Sequence, residues 1–217
     1  MNNITRLFDF PYHQLEKYNL PDALVTKYGD QWVKTSTKEY LDKANAISRG
    51  LLRLGVQKND KIAIISSNNR TEWHITDIGA LQTGAQTVPI YPTISSEDYE
   101  YILNHSESSY CFVSDQEVYD KLVAVQNNIP NLKAIYSYND INGCKSWKEI
   151  LELGADESNQ DVVEDRKNNV TTTDLATIIY TSGTTGRPKG VPISRGNVAA
   201  FVDSVGKLGI TLKPEDR

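Results

Sequence analysis

Apolar positions along the chain switch period in a regular way, and the switching predicts its elements. From Thr37 onward, Tyr40, Leu41, Ala44, Ile47, Leu51 and Leu54 recur three and four residues apart, the spacing of one helix face. Gly55 stands where a positive-φ residue closes such a helix. The run 60–66 (DKIAIIS) reads as a buried strand, 72–82 as a helix ending near Gly84, and 85–93 as a strand stopped by Pro92. Ser95 with Asp98 signals a helix start, and Tyr99, Ile102 and Leu103 carry that helix to about Asn104. A strand at 110–113 follows. Ser114 with Glu117 predicts the cap of a helix reaching about Asn127. A strand at 132–137 comes next, then a second cap pattern, Ser146 with Glu149, ahead of WKEILELG.

The alternation of strand and helix, with strands that are continuous apolar runs, calls for a sheet covered on both faces. Parallel strands joined by helical crossovers satisfy it. The expected fold is α/β, an open, doubly wound, mostly parallel sheet with helices on both faces. Outside the repeat the pattern weakens. Residues 1–28 read as an arm in which Phe8, Phe10, Tyr12, Leu15 and Leu20 pack on something else or on a partner subunit, with Pro11 and Pro21 breaking any long helix. Residues 30–35 read as a short strand, and 156–173 as a polar surface connection. The run 175–180 is a further buried strand, 191–194 is briefly apolar, and Val198, Phe201, Val202 and Val205 share a helix face from about Asn197. The expected division is an arm (1–28), a βα-repeat portion (29–155), a connection (156–173), and a last segment (174–217) of strand, loop and helix.

A net charge of −5 with no basic run argues against a nucleic-acid partner held through its phosphates. Cys111 and Cys144 lack CxxC spacing and a nearby histidine pair, which argues against a zinc site or a disulfide framework. Cys111 reads as a small core residue. His13, His74 and His105 are scattered and read as surface or satisfied core positions. No leader pattern and no long apolar run is visible, so a cytoplasmic location is expected.

Candidate chemistry concentrates in 181–190, TSGTTGRPKG, directly after the apolar run 175–180. Its three glycines, four hydroxyls, one arginine and one lysine suit a polyanion. Gly183 and Gly186 let the backbone turn with φ > 0 and approach a ligand. Successive N–H groups then form an anion nest, with short donors from Thr181, Ser182, Thr184 and Thr185. Lys189 supplies a point charge and Arg187 a second. Two known phosphate loops do not fit. Gly183 and Gly186 are three apart and Lys189 is followed by Gly190, so the GxxxxGK[ST] loop is excluded, and GxGxxG is absent.

The string YTSGTTGRPKGV, Tyr180 through Val191, resembles the signature of the adenylate-forming (AMP-binding) enzymes. SSNNRTEWHITDIGALQTGAQTVPIYPT at 66–93 and YILNHSES at 101–108 are most similar to the long-chain fatty acyl-CoA synthetase branch, as the N-terminal part of its large domain. The resemblance implies a two-step ligase. A fatty-acid carboxylate attacks the α-phosphate of ATP, and the thiol of coenzyme A then displaces AMP. It implies ATP phosphates held by Tyr180, Thr181, Ser182, Gly183, Thr184, Thr185, Gly186, Arg187, Pro188, Lys189, Gly190 and Val191. Lys189 and Thr184 act on the leaving pyrophosphate, and Thr181 helps coordinate Mg2+. Fatty acid, ATP and coenzyme A are the implied partners; peripheral membrane contact and a homodimer stay open. Further family motifs, including a Thr-Glu pair and a lysine-bearing C-terminal domain, are not in the sequence, so a fragment that is inactive alone is expected. Family members often carry histidine near Arg195. Two other readings stay open: adenylation of another carboxylic or amino acid for a carrier protein, and a stand-alone module that binds a nucleotide or partner without catalysis.

Overall fold

A strand buried on both faces carries apolar side chains on both, and the central strands here do so over most of their length: at 62–65, at Val88 and Ile90, and at 110–113. The computed structural model describes residues 4–182 and 186–207. Helix α1 (Asp9–Lys17) leads into a small antiparallel hairpin, β1 (Leu24–Tyr28) and β2 (Gln31–Thr35). The repeat then runs α2 (Thr37–Arg53), β3 (Lys61–Ile65), α3 (Thr71–Gln82), β4 (Gln86–Ile90), α4 (Ser96–Ser106), β5 (Ser108–Val113), α5 (Gln116–Val123), β6 (Ala134–Ser137) and β7 (Lys145–Ser146). Helices α6 (Lys148–Leu153) and α7 (Gln160–Asn168) precede a second hairpin, β8 (Leu175–Thr181) and β9 (Lys189–Ser194), and the last helix α8 (Arg195–Lys207).

One seven-stranded sheet has the order β7-β6-β5-β3-β4-β8-β9. Every neighbouring pair is parallel except β8 with β9. Side chains of β3 alternate between two cores. Ile62 and Ile64 join Ala44, Ile47, Leu51, Ile75 and Leu81 from α2 and α3. Ala63 and Ile65 join Tyr99, Ile102, Leu103 and Leu122 from α4 and α5. The expected three-layer α/β arrangement is therefore present. Helix α2 is held very close to its neighbours. A Cβ built on Gly154, just after α6, would lie 1.8 Å from the Ala46 carbonyl oxygen.

Four expectations change. Residues 4–28 pack on their own chain: Phe8 is fully buried in the first core, and Thr26 in β1 hydrogen-bonds Thr71 at 2.8 Å. Pro11 sits in the first turn of α1, where its missing N–H costs no helix bond. Asp115, not Ser114, caps α5. Its carboxylate accepts from the Val118 N–H at 3.2 Å, while the Ser114 hydroxyl donates to Asp115 at 2.6 Å. A carboxylate also answers the positive helix end better than a hydroxyl does. The polar stretch 156–173 contains α7, with Val163 fully buried. It is tied down by Arg49, which donates to the Gly154 carbonyl at 2.7 Å and to Gln160 at 2.6 Å. Helix α8 begins at Arg195, two residues before the expected start. Ser95 caps α4 as expected, accepting from the Asp98 N–H at 3.1 Å.

Candidate phosphate site

Strand β8 runs parallel to β4 and reverses into β9, so the turn between them leaves the sheet at the carboxyl ends of the parallel strands. Ligands of open α/β sheets bind at that end. Thr181 and Lys189 are the last paired residues of the hairpin and face solvent across its mouth. Ser182, Gly186 and Arg187 are also exposed. Gly186 has φ +100°, and no heavy atom lies within 4 Å of the position a Cβ would take. The hydroxyls of Thr181 and Ser182 thus share one exposed turn with two cationic side chains. Gly183, Thr184 and Thr185 lie outside the described residues. Pro188 is half-buried and Val191 exposed in β9.

Tyr180 is different: it is buried and serves as a foundation rather than a ligand surface. Its cross-strand partner is Gly190. A Cβ on Gly190 would meet the Tyr180 ring at 3.1 Å, so glycine there lets the ring lie flat across β9. The phenol reaches His105 Nδ1 in α4 at 2.7 Å. Burial pushes the Tyr180 phenol up to about 12, with the nearby Tyr101 adding to it, so it stays neutral. One turn back along α4, Tyr101 carries the Arg187 guanidinium over its ring at 5.0 Å. The motif alone named Tyr180 and Arg187; their seats on α4 were missed. The available signal was the aromatic–histidine pair at i, i+4 in YILNH.

The other face of β4 and β8 forms a second cavity of about 720 Å³. Pro89, Ile179, Trp73 and Tyr40 line its apolar wall, with Thr87, Thr177 and Asp77 among them. Burial pushes the Asp77 carboxyl from 3.8 up to about 6, although a Thr87 hydrogen bond and the Arg195 charge oppose it. The folded state therefore holds this proton more tightly than the unfolded chain. Stability falls as pH rises from about 4 to about 6, and the penalty is full above that. Asp77→Asn should raise stability at pH 7 by about 2 kcal/mol. Thermal melts from pH 4 to 8 check this: the gap between variant and wild type should open between pH 4 and 6. A constant gap across that range would refute the assignment.

Among the described residues no group of three or more histidine, cysteine or acidic side chains is placed to hold a metal. No helix among them is long and apolar enough to cross a membrane.

The family model described as AMP-binding enzyme matches residues 13–217. The long-chain-fatty-acid–CoA ligase ACSBG2 of Xenopus laevis is 36% identical over 208 residues, which cover 90% of this chain and 28% of that protein. The human ligase of the same name is 30% identical over 92% of this chain and 30% of its own length. The chain thus spans less than a third of either relative. Among solved structures, a long-chain-fatty-acid-CoA ligase from Archaeoglobus fulgidus superposes with a TM-score of 0.76 at 25% identity, covering 95% of this chain and 40% of that one. A red-emitting luciferase from Phrixothrix hirtus gives a TM-score of 0.76 at 23% identity, covering 90% and 47%.

Proposed function

The chain belongs to the AMP-binding enzyme family, and from that premise we propose that it is the N-terminal part of an ATP-dependent ligase that activates a long-chain fatty acid as its adenylate and passes it to coenzyme A. The observation that carries the reading is the exposed β8–β9 turn at the carboxyl end of the sheet, with Thr181, Arg187 and Lys189 on it. The fatty-acid preference follows from relatives named as long-chain-fatty-acid–CoA ligases.

Five residues of the segment, Thr181, Ser182, Thr184, Arg187 and Lys189, carry the roles in this proposal. The fatty-acid carboxylate oxygen bonds the α-phosphorus of ATP, and the bond to the pyrophosphate oxygen breaks. Negative charge builds on the departing pyrophosphate. In this reading Lys189 meets it as a point charge and Arg187 adds a second from the far end of the turn, with the Thr181 and Ser182 hydroxyls as donors. Gly183, Thr184 and Thr185 lie between these residues in sequence, and Thr184 is assigned with Lys189 to the leaving group. Magnesium would neutralise charge on the phosphate oxygens. The Thr181 hydroxyl is the ligand proposed from this chain; one neutral hydroxyl binds such an ion only together with those oxygens. Coenzyme A enters the second step, where its sulfur bonds the acyl carbon and AMP leaves.

The test is acid-dependent ATP–pyrophosphate exchange by the full-length gene product with a panel of acids. Palmitate and its homologues should support exchange, and amino acids should not. Exchange with an amino acid alone would transfer the assignment to carrier-protein adenylation.

A further inference from the structure

Helix α4 touches the β8–β9 turn at both of its ends. At the entry, His105 Nδ1 lies 2.7 Å from the Tyr180 hydroxyl, and the two rings meet edge to face at 5.7 Å between centroids. At the exit, the Arg187 guanidinium lies 5.0 Å from the Tyr101 ring centre, in a cleft also lined by Glu97, Asp98, Glu100 and Asn104. Tyr101 and His105 are one helical turn apart, and their rings are 5.4 Å apart. Aromatic, imidazole and guanidinium groups thus form one chain, Arg187–Tyr101–His105–Tyr180, whose two outer members flank the turn.

The helix beneath is rigidly seated. Tyr99 is fully buried and donates its hydroxyl proton to the Pro92 carbonyl at 2.9 Å, and Ile102 and Leu103 are in the core. The acidic cleft attracts Arg187, and the ring face of Tyr101 adds a cation–π contact. A phosphate loop rich in glycine gains most from such external support, because each ordered glycine gives up more conformational freedom than any other residue.

We propose that Tyr101 and His105 are positioning residues for nucleotide binding, holding the two ends of the phosphate turn at a fixed separation without touching the nucleotide themselves. This rests on the ligase reading above. Preorganisation of this kind acts on the affinity for ATP and leaves the fatty-acid site alone.

The experiment uses the full-length gene product with palmitate and MgATP. His105→Ala and Tyr180→Phe should each raise the KM for MgATP about fivefold, the loss of one hydrogen bond. The KM for palmitate should stay within about twofold, and the double variant should be no worse than the worse single one. His105→Gln, which keeps a hydrogen-bonding group within reach of the phenol, should recover most of the loss. In parallel, amide hydrogen exchange should speed up in peptides spanning 178–192 of His105→Ala and Tyr101→Leu, with peptides of α2 and β3 unchanged. Unaltered exchange at 178–192, or palmitate and MgATP constants moving together, overturns the proposal. A wild-type enzyme inactive with every acid would instead remove the ligase reading, and amide exchange together with MgATP titration of the variants would still decide the positioning role.

Discussion

Lys189→Ala in the full-length protein is expected to lower the rate of acyl-adenylate formation at least about tenfold, the scale of losing one preorganised charge at a developing anion. Lys189 opens β9 directly opposite Thr181, and its side chain is exposed. Its removal leaves no hole in either core, so the melting temperature should not move. That separation makes the test clean: activity falls while stability stays. Lys189→Arg keeps the charge but spreads it over a planar fork on a different stem, so it should rescue only part of the rate. The palmitate KM should hold, because the proposed role of the charge is at the pyrophosphate and not at the acyl chain. Unchanged pyrophosphate exchange in Lys189→Ala would remove Lys189 from the mechanism.

How far the sequence revealed this site depended on the range of the interactions involved. Elements fixed by local periodicity came through nearly whole. The helix expected from Thr37 is α2, Thr37–Arg53, and the strand expected at 60–66 is β3, Lys61–Ile65. Gly55 takes φ +82° as the closing residue. The candidate turn stands out in the sequence because its chemistry is compact, with glycines, hydroxyls and cations within ten residues. Strand β1 was not legible, since only Thr26 of its five residues is buried and no alternation marks it. Helix α7 was missed for a related reason: Val163 and Lys167 are its buried residues, and long polar side chains from α2 and α7 secure it. Contacts that join distant segments left no local trace. His105 and Tyr180 are 75 positions apart, and the pairing of Tyr101 with His105 marks a helix face without pointing to Tyr180. No local pattern marks Asp77, and it is the enclosure of α3 by residues of α1 and β8 that makes its carboxyl hold a proton more tightly.

Arg195 supplies the second large effect, and the sequence flagged it only as a departure from the histidine frequent in the family. The side chain is fully buried at the start of α8. Its Nη2 donates to the Leu81 carbonyl at 3.1 Å and to the Ala85 carbonyl at 3.5 Å, and its guanidinium lies 5.2 Å from the Phe8 ring centre. Leu81 is in the last turn of α3, which has no basic residue of its own. Arg195 therefore brings to that helix end the positive charge it lacks, from more than a hundred residues away. The same residue ties the β8–β9 hairpin to α3 and to Phe8 ahead of α1, because its backbone N–H donates to the carbonyl of Asp174, just before β8, at 3.0 Å. The arrangement has a cost. Burial lowers the guanidinium to about 10, opposed by Asp174 and Asp77, and its Nε and Nη1 find no acceptor among the described residues. Arg195→Ala removes the brace and leaves a hole, and should lower stability by about 3 kcal/mol. Arg195→Met fills the space and removes the buried charge, so it should cost about 1 kcal/mol, chiefly the lost bonds to the α3 end. Denaturant unfolding of both variants at pH 7 decides between the two contributions. If Met proves as costly as Ala, the charge at the α3 terminus carries the stability; if Met matches wild type, the contribution of Arg195 is volume alone.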